Sequence, residues 1–414
     1  MTELSRVKEP ERARPLPEWA AFLELGFRPL YLAGCVWAAV SVALWVFAPW
    51  LLRGKLAGVI WHAHEMLWGF IATVAAGFLL TAASTWTGTN PLKGRALGAL
   101  CLLWTLARMG YLLPGGTAFA LAVACEVLFF AGSALALARA IYGSRNQRNY
   151  GVPLLMFALG VADALFLLAA WQGDYEWLMR YFNTGLLCMA VTALLVARRV
   201  IPFFAMRAVP GLIIPMHTRS GHWQLAAGGL AIGCGLMNWA EVSALFLSVA
   251  GVIALVQVLT WKPAAVRRLP LLWILYAGYA AVGVGLLVAA GQAAGAVLRA
   301  AWPAHVIGVA GFSVLIIGMV TRTALGHLGR PLRTDSLIVT CYGLVIAAAA
   351  LRLLALLPTG LAVGALHASA GAWVLAFVLY LWRFFPLLIR PRIDAPVSPV
   401  LKPQQNAARR RTPK

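Results

Sequence analysis

The ten residues Trp61-His62-Ala63-His64-Glu65-Met66-Leu67-Trp68-Gly69-Phe70 place two histidines and a carboxylate inside an apolar run from about Leu56 to Ala83. A run of this length is typical of a membrane helix. Ionisable side chains are costly in hydrocarbon and need partners there. A metal ion or a cofactor is the first candidate for such a partner.

The spacing of these residues predicts two separate directions along a regular helix. Each residue advances by about 100°, so His62 and Glu65 lie about 60° apart, and His64 points about 160° away from His62. We therefore expect the two imidazoles to face different sites. The face of His62 continues through Gly69 and Thr73, and small residues on such a face admit another helix or a flat macrocycle.

The composition indicates a polytopic membrane protein. Of the 414 residues, 62% are hydrophobic and only 11% are charged, which is not the composition of a soluble domain. Apolar runs of roughly 18 residues or more predict an all-α bundle of about twelve transmembrane helices. The predicted spans centre on 30–50, 57–83, 96–113, 117–141, 151–170, 178–197, 223–239, 241–261, 271–291, 301–321, 336–357 and 360–382. The seventh and eighth spans are the hardest to separate, because only a short polar stretch divides them.

The basic residues predict an orientation with both termini in the cytoplasm. If the N-terminus is cytoplasmic and the twelve spans alternate in direction, six of the 34 Lys and Arg residues lie on the opposite side of the membrane. These six are Arg53, Lys55, Arg108, Arg180, Arg299 and Arg352. Such a bias follows the positive-inside rule. Most of the net charge of +21 thus reflects basic residues that set the orientation in the membrane. This charge favours contact with anionic lipid rather than nucleic acid.

The predicted organisation is one membrane domain between two tails. Residues 1–28 form a cytoplasmic N-terminal tail, residues 29–386 form the twelve-helix domain, and residues 387–414 form a basic cytoplasmic tail. Six cysteines stand singly in predicted helices without a CxxC pair, so neither a structural zinc site nor covalent haem attachment is indicated.

Four of the seven histidines fall at a similar depth in the membrane. His62, His64, His305 and His367 all lie in the outer halves of the second, tenth and twelfth spans, which run in the same direction. This agreement predicts a metal or cofactor region in the outer leaflet. The intramembrane carboxylate Asp163 is a further functional candidate. Arg108 and Glu126 are expected to form a structural ion pair.

Two long blocks of sequence resemble the NnrS family of bacterial inner-membrane proteins. The first block comprises His62–Phe70, Ala76–Ala82 and Trp86–Gly88, and the second comprises His305 with Gly308 and Gly311, Met319–Arg322 and Leu325–Leu332. Shorter and less specific matches extend the resemblance from residue 26 to residue 392. Two positions depart from the family pattern, namely Tyr276, where we expect His, and Asp163, where Asn is common.

The resemblance implies haem b and copper in a multi-pass bacterial inner-membrane protein linked to nitric oxide metabolism and resistance to nitrosative stress, with nitric oxide as a small-molecule ligand. The family motifs carry over onto His62, His64, Glu65, His305, Arg322, His327 and Arg330. Of these, Arg322, His327 and Arg330 would bind a cofactor at the cytoplasmic end and not in the outer leaflet, because about 25 Å of helix separates His305 from Arg322.

Depth and direction together suggest an assignment of ligands. We expect His305 to ligate haem iron with one histidine of the His62/His64 pair, while His367 and the other histidine serve copper or a second haem. Imidazole suits both metals. Glu65 and Asp163 are candidates for orienting a ligating histidine through a hydrogen bond or for relaying protons.

Two other functions remain open from the sequence. A membrane redox enzyme of the haem–copper oxidase type would need about six histidines including an adjacent pair, and this chain has no His-His dipeptide; turnover of nitric oxide or oxygen by another arrangement stays possible. A secondary transporter also suits twelve spans with both termini inside, with Glu65, Asp163 and Arg322 lining a path. No repeat between the two halves supports it. The sequence leaves open whether the protein is an enzyme.

Overall fold

The computed structural model describes residues 16–215 and 217–393. Within these residues the chain is all-helical and contains no β-strand. Its long helices are α1 (Phe27–Phe47), α2 (Gly58–Thr87), α3 (Gly94–Leu112), α4 (Gly116–Gly143), α5 (Gly151–Gln172), α6 (Tyr175–Ala208), α7 (Thr218–Leu236), α8 (Ala240–Thr260), α9 (Pro270–Ala293), α10 (Ala301–His327), α11 (Ser336–Leu354) and α12 (Ala362–Leu388). Shorter helical segments occur at Trp19–Phe22, Pro49–Leu51, Gln147–Asn149 and Pro263–Val266.

These helices confirm the predicted class, an all-α polytopic membrane bundle. Each of the apolar runs picked out from the sequence falls on one long helix. The seventh and eighth runs are separate helices, because Asn238 takes a left-handed turn (φ 60°) between α7 and α8. The Ser243 hydroxyl then donates to the Ala231 carbonyl (3.0 Å) and ties the two helices together.

Ten of the helices are long and apolar enough to cross a membrane. The other two long helices in the described chain, α3 and α7, have 19 residues each but carry more polar side chains, among them Arg95 and Arg108 in α3 and Arg219 and Gln224 in α7. Twelve membrane crossings and the inward orientation of both termini therefore stay predictions. The predicted tails lie largely outside the described residues, so their boundaries stay predictions as well.

The two helices that carry the sequence motifs occupy the centre of the bundle. In α2 and α10, 78% and 72% of the most apolar stretch is buried, against 33% in α11 and in α12. The two central helices contact each other directly, and consecutive helices pack around them, with α12 returning to pack against α1. The motif histidines therefore face protein rather than lipid on most sides.

One buried arginine ties the end of α12 to the start of α1. The Arg28 side chain is 1% exposed, and its Nη1 donates to the carbonyls of Leu388 (3.1 Å) and Arg390 (2.5 Å). The last carbonyls of a helix lack partners within the helix and attract a cation. Arg28 therefore satisfies the C-terminal end of α12 and fixes the neighbouring helices in place.

Candidate functional site

A cavity of about 380 Å³ lies between α1, α2, α6, α10, α11 and α12. Most of its walls are apolar. His62 from α2, His305 from α10 and Arg352 from α11 are the ionisable side chains that line it, together with Tyr175 at the start of α6. The structure thus brings two of the four predicted histidines to one chamber.

Neither of these histidines has both ring nitrogens hydrogen-bonded to described residues. The Nδ1 of His305 lies 2.7 Å from the carbonyl oxygen of Ala301, to which it donates, so its Nε2 is the acceptor nitrogen. The ring of His62 stacks on Trp45 with centroids 3.9 Å apart. The Nδ1 of His62 is buried without a hydrogen-bond partner among the described residues. Gly308, one turn from His305, also lines the cavity, and an added Cβ there would meet nothing within 4 Å.

Both central helices change their winding directly after a motif histidine. Residues Glu65–Ala72 in α2 and Val306–Ser313 in α10 are wound as π-helix. At the end of each segment a hydroxyl donates to the carbonyl five residues earlier, Thr73 to Trp68 (3.0 Å) and Ser313 to Gly308 (2.9 Å). π-Helical segments are rare and frequent at functional sites. Apart from those two hydroxyls, the sequence carries no signal for this winding, and a regular helix was expected.

His64 points away from the cavity into a second site, as the helical spacing predicts. We call this the buried polar cluster, and it comprises His64, Glu65, Arg108, Glu126 and Asp163. The Nδ1 of His64 lies 2.9 Å from Glu65 Oε1, and its Nε2 lies 3.0 Å from Asp163 Oδ1 and 3.3 Å from Glu126 Oε2. Each of the five side chains is at most 2% exposed.

Arg108 holds two of the carboxylates of the buried polar cluster. Its Nη1 lies 2.7 Å from Glu65 Oε2, and its Nη2 contacts Glu126 Oε1. The predicted pair of Arg108 and Glu126 is thus present, but it belongs to a larger network that the sequence did not indicate. Glu65 also accepts a hydrogen bond from the Trp37 indole (2.5 Å). The sequence signal was the presence of all five ionisable residues in apolar spans; which of them meet was not evident from it.

Gly69 serves this cluster and not the His62 face, which corrects the expectation from regular helical spacing. An added Cβ would lie 2.6 Å from both Arg108 Nη1 and Glu65 Oε2, and 2.9 Å from Trp37 Nε1. The π-helical winding after His64 rotates Gly69 away from His62. The missing side chain makes room for the ion pair rather than for a macrocycle.

The cluster has more negative than positive fixed charge. Three carboxylates face one guanidinium and one imidazole, and both ring nitrogens of His64 contact carboxylate oxygens. The second oxygen of Asp163 is buried without a hydrogen-bond partner among the described residues. One nitrogen or oxygen from each of His64, Glu126 and Asp163 lies within 4.8 Å of the others. Protons or a metal ion would offset this charge, since uncompensated charge is costly in a low dielectric.

The remaining predicted residues lie elsewhere. His367 is exposed on α12; its Nδ1 donates to the Val363 carbonyl (2.9 Å), and its ring lies 5.7 Å from that of Phe47. At the opposite end of α10, the Arg322 guanidinium stacks over Phe204 (3.9 Å), and His327 packs near Phe27 (5.4 Å). Arg330 follows that helix end, where its amide donates to the Leu325 carbonyl (2.9 Å).

Tyr276, which stands where the family pattern led us to expect histidine, has a packing role. Its hydroxyl donates to the Trp261 carbonyl (3.1 Å), and its ring meets the Trp261 ring edge-on. This contact holds the α8–α9 connection against α9. Tyr276 lines neither the cavity nor the buried polar cluster.

A comparison with curated proteins gives no match. The family model described as NnrS protein matches residues 21–392, which is nearly the whole chain and includes both central helices with their histidines. The chain belongs to the NnrS protein family.

Proposed function

We propose that this protein is a multi-pass bacterial inner-membrane protein that binds haem b and copper and acts in nitric oxide metabolism and resistance to nitrosative stress. The observation that carries the proposal is that His62 and His305, from two separate central helices, line one apolar cavity. Family membership supports it.

The residues around the cavity fit haem. His305 has its Nδ1 engaged by a backbone carbonyl, the contact that orients a metal-ligating imidazole and leaves Nε2 for the metal. His62 lines the same cavity, and its Nδ1 has no hydrogen-bond partner among the described residues, so this imidazole fits a second ligand. Arg352 is the cation that would pair with a propionate, since guanidinium binds carboxylate strongly. When bound, haem iron supplies a coordination site whose surroundings decide how a diatomic ligand is held.

The buried polar cluster fits a metal ion better than a second haem. Rings of Tyr111 and Phe166 lie 5.0 and 5.6 Å from the ring of His64, so a macrocycle has no room beside it. His64, Glu126 and Asp163 would hold the ion, and imidazole is a ligand that suits copper. Glu65 and Arg108 would then orient His64 and Glu126 through the contacts described above.

A second candidate function, proton-coupled transport, is favoured by the same cluster. Five ionisable side chains in contact inside a membrane bundle are typical of a proton path. In that function the carboxylates carry protons and no metal is needed. The metal content of the purified protein separates the two candidates.

The test is an optical spectrum and a metal analysis of the full chain purified in detergent. The wild type should show a Soret band and contain copper, and nitric oxide should shift the band. His62→Ala and His305→Ala should lose most of the haem, whereas His64→Ala should keep haem and lose copper.

Controls come from histidines outside both sites. His327→Ala and His367→Ala should keep haem and copper at wild-type levels if they fold with normal yield. A colourless, metal-free wild type would refute the proposal and favour transport. Loss of haem in His327→Ala, with haem retained in His62→Ala and His305→Ala, would place the cofactor at the other end of the bundle.

A further inference from the structure

A second cavity, of about 590 Å³, lies at the end of the bundle remote from His62 and His305. Four arginines line it, each from a different segment: Arg207 near the end of α6, Arg268 before α9, Arg322 in the last part of α10 and Arg333 before α11. Three of them are exposed, whereas Arg322 is only 7% exposed. We call this the arginine cavity.

The four guanidiniums have no acidic partner in the part of the chain that the structure describes. Arg322 there forms neither an ion pair nor a hydrogen bond; its guanidinium stacks over Phe204 and lies within electrostatic range of Tyr342. The nearest carboxylate along the chain, Asp335, is already engaged: it accepts from the Ile338 amide (2.9 Å) and contacts Arg383 Nε (3.1 Å). A buried cation that lacks a counter-charge is costly, so an anion from outside the chain would stabilise it.

Two further features point to the chemical class of that anion. Helix α9 begins at Pro270 in the wall of the cavity, and the positive end of a helix dipole favours phosphate. Leucines form much of the remaining wall, namely Leu269, Leu271, Leu272 and Leu332, and Leu332 is 47% exposed. A wall that is cationic in one part and apolar in another suits a ligand with a phosphate head and an apolar chain.

We propose that the arginine cavity is a binding site for the phosphate group of an anionic phospholipid. It lies at the end of the bundle where the sequence concentrates basic residues, and headgroup phosphates lie at the depth of helix ends. General attraction to an anionic bilayer needs only exposed basic residues. A nine-tenths buried arginine without a counter-charge distinguishes a defined site from that attraction. The inference does not depend on haem or copper.

The experiment uses the full chain, delipidated in detergent, and titrates it with phosphatidylglycerol, with phosphatidylcholine and with inorganic phosphate. Binding is followed by native mass spectrometry and by the shift in unfolding temperature. Phosphatidylglycerol should bind and stabilise the wild type, and phosphatidylcholine should bind at least about tenfold more weakly. Arg322→Gln should weaken phosphatidylglycerol binding about tenfold or more, because a charge-assisted hydrogen bond is lost.

Two more variants keep the test decisive. Arg219→Gln removes an exposed arginine at the start of α7, on the same predicted side but outside the cavity, and should bind phosphatidylglycerol as the wild type does. If Arg322→Gln does not fold, the triple variant Arg207→Gln/Arg268→Gln/Arg333→Gln replaces it, with the same expected loss.

Equal binding of the two lipids, or an equal loss in Arg219→Gln and the cavity variants, would overturn the proposal. Stabilisation by inorganic phosphate that depends on Arg322, without any by phosphatidylglycerol, would assign the site to a soluble phosphate instead. Haem content should stay at the wild-type level in Arg219→Gln and in the triple variant, neither of which changes a residue of the family motifs. Failure here and failure of the proposed function are therefore separate outcomes.

Discussion

At the scale of single residues, Arg108 is the cation on which the buried polar cluster depends. It contacts Glu65 (2.7 Å) and Glu126, and all three side chains are at most 2% exposed. We predict that Arg108→Gln destabilises the protein by about 3–5 kcal/mol, since removing one partner leaves charge buried without compensation. Thermal or denaturant unfolding in detergent measures the loss.

A surface ion pair supplies the control for Arg108. Arg180 contacts Glu176 (2.9 Å) one turn apart on α6; the Glu176 side chain is 78% exposed, and that of Arg180 is 18% exposed and lies over Trp177. Arg180→Gln should change stability by no more than about 1 kcal/mol. If the two variants were equally stable, the cluster would not need Arg108 for charge compensation, and protons or an ion would have to balance Glu65 and Glu126 alone.

At the scale of single elements, the π-helical winding of Glu65–Ala72 brings Gly69 against the cluster. We predict that Gly69→Ala costs about 1–3 kcal/mol, because the added methyl group would lie 2.6 Å from Arg108 Nη1 and Glu65 Oε2 and must displace them. The measurement is again the free energy of unfolding, together with the haem and copper content.

Gly371 in α12 is the matched control for Gly69. It lies in a helix interior, and an added Cβ there would meet nothing within 4 Å. Gly371→Ala should be neutral or stabilise by up to about 1 kcal/mol, because Ala favours helix over Gly. A Gly69→Ala protein as stable as Gly371→Ala would mean that α2 does not approach Arg108 in this way.

At the scale of the whole molecule, the orientation in the membrane decides which compartment each cavity opens toward. The basic residues predict that the α9–α10 connection is outside and the start of α7 is inside. We predict that Leu298→Cys, at a position that is 93% exposed in that connection, reacts with an impermeant maleimide in intact cells. Arg219→Cys should react only after the membrane is opened.

The opposite labelling pattern would mean that the bundle has the inverse orientation in the membrane. The cavity lined by His62 and His305 would then open to the cytoplasm and the arginine cavity to the outside. The six native cysteines lie within helices, and four of them are buried, so the wild type supplies the background of this measurement. A reporter fused to the C-terminus gives an independent reading of the same orientation.

The sequence by itself determined the class of the protein, the positions of its long helices and the opposed directions of His62 and His64. These follow from local physics. Apolar runs must satisfy their backbone as helix in a membrane, and residues two apart on a helix face away from each other. The family was also evident from the sequence, because both central helices carry long motifs that match it.

The tertiary structure alone decided which residues meet. Depth along a helix is encoded in the sequence, but lateral neighbours depend on how side chains of different helices pack. His62 therefore shares a cavity with His305, whereas His367, which the sequence predicts at a similar depth, faces outward. The same packing gave His64 its partners Glu126 and Asp163 from α4 and α5. It also placed Arg322 in the wall of a cavity built from four separate segments.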